Sequence, residues 1–246
     1  LYSNTTGWAN TAVGDDALRN NTTGRANTAT GLEALKNNTT GEYNVAYGNG
    51  SLAQNKTGNQ NTAIGHGVLS SNTGSSNTGL GYIALIHNTT GGLNVALGNG
   101  VMYYNTEGER NVSVGASSLF ENTTGNRNTA VGTSAMYHNS TGSNNTALGY
   151  NALNNNIDGE NNVAIGSNAL GYNLGSNNVA IGFLANTSSG QSHIVAIGDS
   201  VLMNSGYWPD NPQWGTGNTG IGSRTLKSNF NGYNNTSTGS QSLYKN

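Results

Sequence analysis

The residues best suited to chemistry lie together in one interruption of an otherwise regular sequence. Segment 207–214 reads Tyr-Trp-Pro-Asp-Asn-Pro-Gln-Trp and contains both prolines and two of the three tryptophans of the chain. Flat rings beside Asp, Asn and Gln suit a carbohydrate, because rings pack on apolar sugar faces while polar groups bond hydroxyls. The candidate ligand-binding residues are therefore Tyr207, Trp208, Asp210 and Trp214. The alternative is that both tryptophan rings pack back onto the fold.

Titratable side chains form no catalytic or metal-binding pattern. The four histidines, His66, His87, His138 and His193, occupy three different positions of the repeat described below, so convergent metal ligands are not expected. The 11 acidic residues are scattered over corner segments, and no column of Asp runs through successive units. This argues against calcium between coils and against a carboxylate pair for glycoside hydrolysis. We predict no enzyme activity, no metal site and no cofactor.

The composition excludes several classes of protein. Of 246 residues, 37 are Gly, 33% are hydrophobic and 8% are charged, so both a large core and a charged shell are lacking. A net charge of −2 without a basic run argues against nucleic acid as a partner. No apolar stretch reaches the ~18 residues of a membrane span, so no membrane insertion is expected within this segment. Cysteine is absent, which excludes disulfides and thiolate metal sites.

A repeat organises the whole chain. The signature Asn-Thr/Val-Ala-aliphatic-Gly occurs 14 times, spaced by 17 residues in most steps, by 16 in three and by 24 once. Position five of the unit is Gly in all 14 copies, and position nine is Leu or Met in 13, the exception being Asn186. The units begin at Asn10, Asn27, Asn44, Asn61, Asn77, Asn94, Asn111, Asn128, Asn145, Asn162, Asn178, Ile194, Asn218 and Asn235.

Each unit reads as strand, tight corner, short strand and corner. Polar runs such as Asn20–Gly24 mark the corners, because Asn and Gly tolerate left-handed backbone. The predicted fold is all-β, a parallel β-solenoid of about 14 coils of 17 residues, in which Asn at positions one and twelve stacks into ladders. Residues 1–246 form a single array with an inserted loop at 203–217. The chain begins and stops inside coils, so we expect a fragment of a longer fibre.

Within the strand, positions two and four share one side and position three lies on the other. We expect the larger side chains of positions two and four to point into the solenoid and the Ala of position three to lie outside. Thr-rich solenoids also raise ice binding, which needs a flat outward array of Thr. An inward position two, and the location of Thr22 and Thr23 in a corner, argue against that activity.

Several Asn residues begin Asn-x-Ser/Thr sequences, which are glycosylation signals in a eukaryotic secretory pathway. Most fall at position twelve, so the corner pattern of the repeat is the favoured explanation. These residues are Asn4, Asn21, Asn38, Asn55, Asn88, Asn122 and Asn139.

Units such as Asn162–Gly166 and Asn178–Gly182, both Asn-Val-Ala-Ile-Gly, resemble the head repeats of YadA-type trimeric autotransporter adhesins. Longer units such as the one that begins at Asn128 resemble repeat arrays of bacteriophage tail fibres. The resemblance implies a homotrimer of left-handed parallel β-rolls, or another homo-oligomer, on a cell surface or virion fibre. It also implies binding to a surface glycan or host receptor. The adhesin head unit is usually shorter than 17 residues, and no anchor, stalk or chaperone domain is found in this sequence.

The expected function is that of an extracellular adhesin or receptor-binding fibre segment, a rigid rod for surface attachment. A self-assembling structural filament or surface-layer component is the first alternative, and an ice-binding solenoid the second.

Overall fold

A computed structural model describes residues 1–172, 175–186, 190–203 and 215–245. These residues contain 14 strands of three residues each and no helix. Every strand covers positions two to four of one repeat unit. In chain order the strands are β1 (Thr11–Val13), β2 (Thr28–Thr30), β3 (Val45–Tyr47), β4 (Thr62–Ile64), β5 (Thr78–Leu80), β6 (Val95–Leu97), β7 (Val112–Val114), β8 (Thr129–Val131), β9 (Thr146–Leu148), β10 (Val163–Ile165), β11 (Val179–Ile181), β12 (Val195–Ile197), β13 (Thr219–Ile221) and β14 (Thr236–Thr238).

The chain forms two compact units, residues 1–126 with β1–β7 and residues 127–246 with β8–β14. Within each unit, every strand pairs in parallel with the strand of the next coil, and equivalent repeat positions lie opposite each other. Thr11 is opposite Thr28 in the first unit, and Val163 is opposite Val179 in the second. This pairing confirms the predicted parallel β-solenoid and its 17-residue spacing.

The prediction of which strand side faces the interior was wrong. The middle residue of each strand is buried from β2 to β14, whereas the first and third residues are half-buried or exposed. Ala29, for example, is fully buried, while Val13 is 58% exposed. The interior beside position three is too narrow for a larger side chain: a Cβ added to Gly79, at the middle of β5, would lie 2.5 Å from Val68 Cγ1. Within each strand, the small middle residue therefore points inward, and the Thr and aliphatic residues on either side of it point outward.

The core consists of three inward columns. These are the small residue at position three, a small residue or Val at position eight, and the Leu or Met at position nine. Leu18, Leu35 and Met102 of the last column are fully buried. They have φ angles of +49°, +51° and +48°, a left-handed backbone that costs a leucine or methionine about 1–2 kcal/mol. Burying such a side chain contributes about 1.5–3 kcal/mol, which offsets that cost.

Asparagine ladders confirm the predicted stacking at positions one and twelve. At position one, Asn44 Nδ2 donates to Asn27 Oδ1 at 3.1 Å and to the Gly58 carbonyl at 2.8 Å. At position twelve, Asn38 Nδ2 donates to Asn21 Oδ1 at 2.8 Å. All four side chains are fully buried. Because buried amides are stable only when they are hydrogen-bonded, the ladders also fix the register of successive coils.

The invariant glycine at position five has two physical causes. Gly14 has φ +127°, a region closed to residues with a Cβ. A Cβ on Gly14 would also lie 2.6 Å from the Gly31 carbonyl oxygen of the next coil. Positive φ and the close approach of the next coil therefore each require glycine at this position.

Candidate functional site

The four residues predicted to bind a ligand, Tyr207, Trp208, Asp210 and Trp214, lie outside the described residues. The insertion at 203–217 is described only at its two ends, Met203 and 215–217. The carbohydrate site in this loop therefore stays a prediction.

The main surface feature of the described residues is the outward side of the strands, which we call the strand face. It consists of repeat positions two and four, the first and third residues of β1–β14. Every side chain in these two columns is Thr, Val, Ile, Leu or Tyr, so the face carries no charge. Leu80 in the first unit and Leu148 in the second are each 47% exposed.

The size of the strand face follows from strand geometry. Seven strands at about 4.8 Å spacing extend about 29 Å, and two side-chain columns about 7 Å apart make a stripe of roughly 200 Å² in each unit. This is somewhat smaller than the largest exposed apolar patch of a typical soluble monomer, about 300–600 Å². The stripe is a candidate interaction surface in both units because it is uncharged and repeats regularly from coil to coil.

Further apolar side chains extend the strand face at the corner that follows it. Position six lies two residues beyond position four, and four of its side chains are between 45% and 56% exposed. These are Leu32, Tyr82, Tyr150 and Phe183. The apolar surface is thus wider at these four coils, whereas position six is polar or charged in most of the others.

Sequence reasoning missed the strand face because it assigned these columns to the interior. One signal could have found it: position three holds only Ala, Gly or Ser in all 14 units, whereas position four ranges from Thr to Tyr. A position that tolerates only small residues lies in a tight interior, and a position that tolerates many sizes faces open space.

The comparisons with known proteins add no relative. No protein-family model, no curated protein and no solved structure matches this chain. The case for a function therefore depends on the surfaces of the molecule.

Three of the four histidines lie beside aromatic rings. His66 stacks on Tyr82 with ring centroids 5.4 Å apart, and His87 stacks on Tyr104 at 5.7 Å. His138 makes an edge contact with Tyr137. Among the described residues, no three His, Cys, Asp or Glu side chains lie close enough together to hold a metal ion. The described part of the chain likewise contains no helix that is long and apolar enough to span a bilayer.

Most position-twelve asparagines of the Asn-x-Ser/Thr sequences have side chains that are buried and hydrogen-bonded within the solenoid. Asn88 is fully buried, and its Nδ2 donates to Asn72 Oδ1 at 2.7 Å and to the Gly91 carbonyl at 2.8 Å. Asn21, Asn38, Asn55, Asn122 and Asn139 are equally buried and make the corresponding bond to the glycine three residues ahead. Asn4 is exposed. Modification of the buried amides would require breaking the ladder.

Charged groups pair locally at corners. Lys36 Nζ lies 3.0 Å from Asp16 Oδ2 and 2.7 Å from Glu33 Oε1, and Arg19 lies 3.1 Å from Asp16. The hydrogen bond from Lys36, helped by Arg19, lowers the pKa of Asp16 below its ordinary value, while Glu33 and then Asp16 raise the pKa of Lys36. Such partly exposed pairs stabilise a protein only weakly.

Proposed function

We propose that this chain is a segment of an extracellular fibre in which copies of the solenoid associate, as a homotrimer or another homo-oligomer, and attach the assembly to a surface. The observation that supports it best is the strand face, an uncharged stripe of Thr and apolar side chains that repeats from coil to coil. Burial of apolar surface contributes about 25 cal/mol per Å² and so favours association. A narrow stripe fits another long, regular surface of the same kind. A second copy of the chain offers such a surface.

The architecture also suits a mechanical role. Buried amide ladders and parallel strand pairing recur coil after coil, so stability is distributed along the array. Attachment to a surface glycan or host receptor would then come from side chains at corners or in the insertion, and catalysis is not part of the proposal. The alternative is a structural filament that binds only its own copies. In that case, the side chains at the corners and in the insertion have no ligand.

The oligomeric state tests association through the strand face. Light scattering on the purified chain at several concentrations should give about three times the 25.3 kDa mass of one chain if it is a trimer. Replacing Leu80 and Leu148 by Lys places a charge on the strand face of each unit and should yield monomers. A control variant replaces Ile157 and Tyr172 by Lys instead. These two side chains are 51% and 65% exposed at corners, and the variant should leave the oligomer intact.

Two results would contradict this proposal. A monomeric wild-type chain at all concentrations would exclude self-association of this segment. An oligomer that survives both face substitutions, with the circular dichroism spectrum unchanged, would move the interface to another surface.

Ice binding is a second candidate, because one of the two arguments against it, an inward position two, does not hold in the structure. Position two faces outward and is Thr in eight of the 14 units. Position four, however, is Thr only at Thr30 and Thr238, so the second column is apolar and uneven. Thermal hysteresis of a monomeric preparation decides between the two: activity that Thr62→Leu and Thr146→Leu together abolish would favour ice, and its absence would favour association.

The insertion is tested separately by attachment. Replacing Trp208 and Trp214 by Ala should abolish binding to an immobilised glycan panel, with the mass of the fibre unchanged, if the loop holds the ligand. Unchanged binding would remove the loop from the proposal and leave the corners of the solenoid.

A further inference from the structure

A second aromatic site lies on the described surface, at the corner that leads into the strands. Trp8, Arg25 and Tyr43 come from three successive coils. Ala26 N donates to the Trp8 carbonyl at 3.0 Å, and Tyr43 N donates to the Arg25 carbonyl at 3.1 Å. These bonds place the three residues side by side on consecutive coils of the first unit. The solenoid therefore holds them at a separation set by the coil spacing.

The Arg25 guanidinium lies between two rings. Its Cζ is 5.6 Å from the Trp8 ring centroid and 5.8 Å from the Tyr43 centroid. Its Nε donates to Glu42 Oε2 at 3.0 Å. Ring contact on two sides and one ion pair restrict the rotation of a side chain that would otherwise lose entropy on binding. Arg25 is thus pre-organised.

The guanidinium keeps free donors in this arrangement. In the described residues, the bond to Glu42 is the one hydrogen bond of the Arg25 side chain, so both Nη groups face no acceptor. The Arg25 side chain is 41% exposed, and Trp8 and Tyr43 are 60% and 50% exposed. An open guanidinium edge beside two accessible rings is a site with one cationic and two apolar elements.

We propose that Trp8, Arg25 and Tyr43 bind an acidic saccharide. A guanidinium edge binds carboxylate or sulfate oxygens through two parallel hydrogen bonds, and the rings offer apolar area to the C–H face of the sugar. Glu42 accepts a bond from a sugar hydroxyl and repels a second acidic group. This inference rests on the proposed surface attachment and names the class of ligand.

A single open arginine fits one acidic group per site better than a polyphosphate. Nucleic-acid binding depends on many cations along the backbone, and the net charge of this chain is −2. Arg110 offers an internal comparison, because it lies at a corner beside Glu109 at 3.7 Å and, among the described cations, only Arg25 lies over two rings. Arg110 has the charge without the aromatic rings.

The experiment is calorimetric titration of the full chain with a galacturonic-acid trimer, a sulfated galactose trimer and the neutral galactose trimer. We expect millimolar or tighter binding of an acidic trimer and at least tenfold weaker binding of the neutral one. The preferred acidic probe identifies carboxylate or sulfate as the recognised group. Arg25→Gln should weaken binding at least tenfold and Trp8→Ala about fivefold, whereas Arg110→Gln should leave it unchanged.

Several outcomes would overturn the assignment. They are no binding of either acidic trimer, equal binding of the neutral trimer, equal losses in Arg25→Gln and Arg110→Gln, and tighter Arg25-dependent binding of a single-stranded oligonucleotide. All site residues come from one chain, so the site does not need assembly to form. Light scattering on the same samples therefore separates a failure of this site from a failure of the proposed fibre.

Discussion

Val68 fills the space that a side chain at Gly79 would need. A Cβ built on Gly79 would lie 2.5 Å from Val68 Cγ1, and the same relationship recurs in the second unit, where a Cβ on Gly220 would lie 2.7 Å from Val201 Cγ1. In both places, the usual Ala at position three is lost where position eight of the preceding coil is enlarged to Val. At these two places, the two columns therefore share one interior space; after Val101, the third Val at position eight, position three is Ser113.

This relationship predicts strong coupling between the two positions. Gly79→Ala should destabilise the chain by about 1–3 kcal/mol through overpacking. Val68→Ala alone should destabilise it by leaving a cavity. The double variant restores the Ala–Ala arrangement found between other coils, so its loss should be smaller than the sum of the single losses by about 1–2 kcal/mol. Urea denaturation of all four proteins measures the coupling, and additive effects would contradict a shared volume.

The period, the glycine columns and the asparagine ladders were predictable because each needs only a sequence position and a chemical type. The side that faces inward was not predictable from alternation alone, because a period of two separates the two sides without saying which is inside. The Gly79–Val68 contact decides the question through interior volume, and volume depends on neighbouring coils. The left-handed backbone at Leu18 is a similar case, since leucine by itself disfavours that conformation.

The three-coil site at Trp8, Arg25 and Tyr43 could not be predicted for a different reason. Its members occupy positions sixteen and seventeen, where other coils carry residues as different as Gly92, Leu93 and Arg110, so no repeated pattern marks them in the sequence. The arginine partner of Trp8 becomes visible once the coils are stacked in register.

The position-one ladder should be sensitive to single substitutions. Asn94 Oδ1 accepts a bond from Asn111 N at 3.0 Å, and Asn94 Nδ2 donates to the Gly108 carbonyl at 2.8 Å. Asn94→Ala leaves both partners unsatisfied in the interior and should cost about 2–4 kcal/mol, at about 1–2 kcal/mol for each bond. Asn99→Ala, an exposed position of the same coil, is the control and should have little effect on the urea midpoint.

Acid titration should reveal the ion pairs of Asp16. Its pKa is lowered from 3.8, first by the hydrogen bond from Lys36 and then by Arg19. A lowered pKa in the folded state adds stability above the ordinary pKa, and this contribution is lost as the pH falls through the folded value. Lys36→Gln should raise the pKa of Asp16 towards its ordinary value, as followed by NMR titration of the carboxyl carbon.

Lys56 is the matched control for this titration, because it makes no ion pair with any described residue. Lys56→Gln should leave the pKa of Asp16 the same as in the wild type. An Asp16 pKa that is the same in the wild type and in Lys36→Gln would show that the pair does not form in solution.

Asn186 breaks the column of buried leucines at position nine. It lies one coil after Leu170 and one coil before Leu202, and all three side chains are fully buried. Within the part of the chain that the structure describes, neither Asn186 Oδ1 nor Nδ2 has a hydrogen-bond partner. A buried polar group without a partner costs about 1–3 kcal/mol. Asn186→Leu should remove this cost and add apolar contacts with the adjoining coils.

The backbone opposes part of that gain. Asn186 has φ +44°, and asparagine adopts left-handed backbone more readily than leucine, which pays about 1–2 kcal/mol there. Leu170 and Leu202 nevertheless occupy the same conformation, at +50° and +51°. We therefore expect Asn186→Leu to stabilise the chain by about 1–2 kcal/mol, measured as a higher urea midpoint. As a control, Asn168→Leu makes the same change at a half-buried left-handed position and should not stabilise the chain. Equal urea midpoints for Asn186→Leu and the wild type would mean that the Asn186 side chain is hydrogen-bonded in solution.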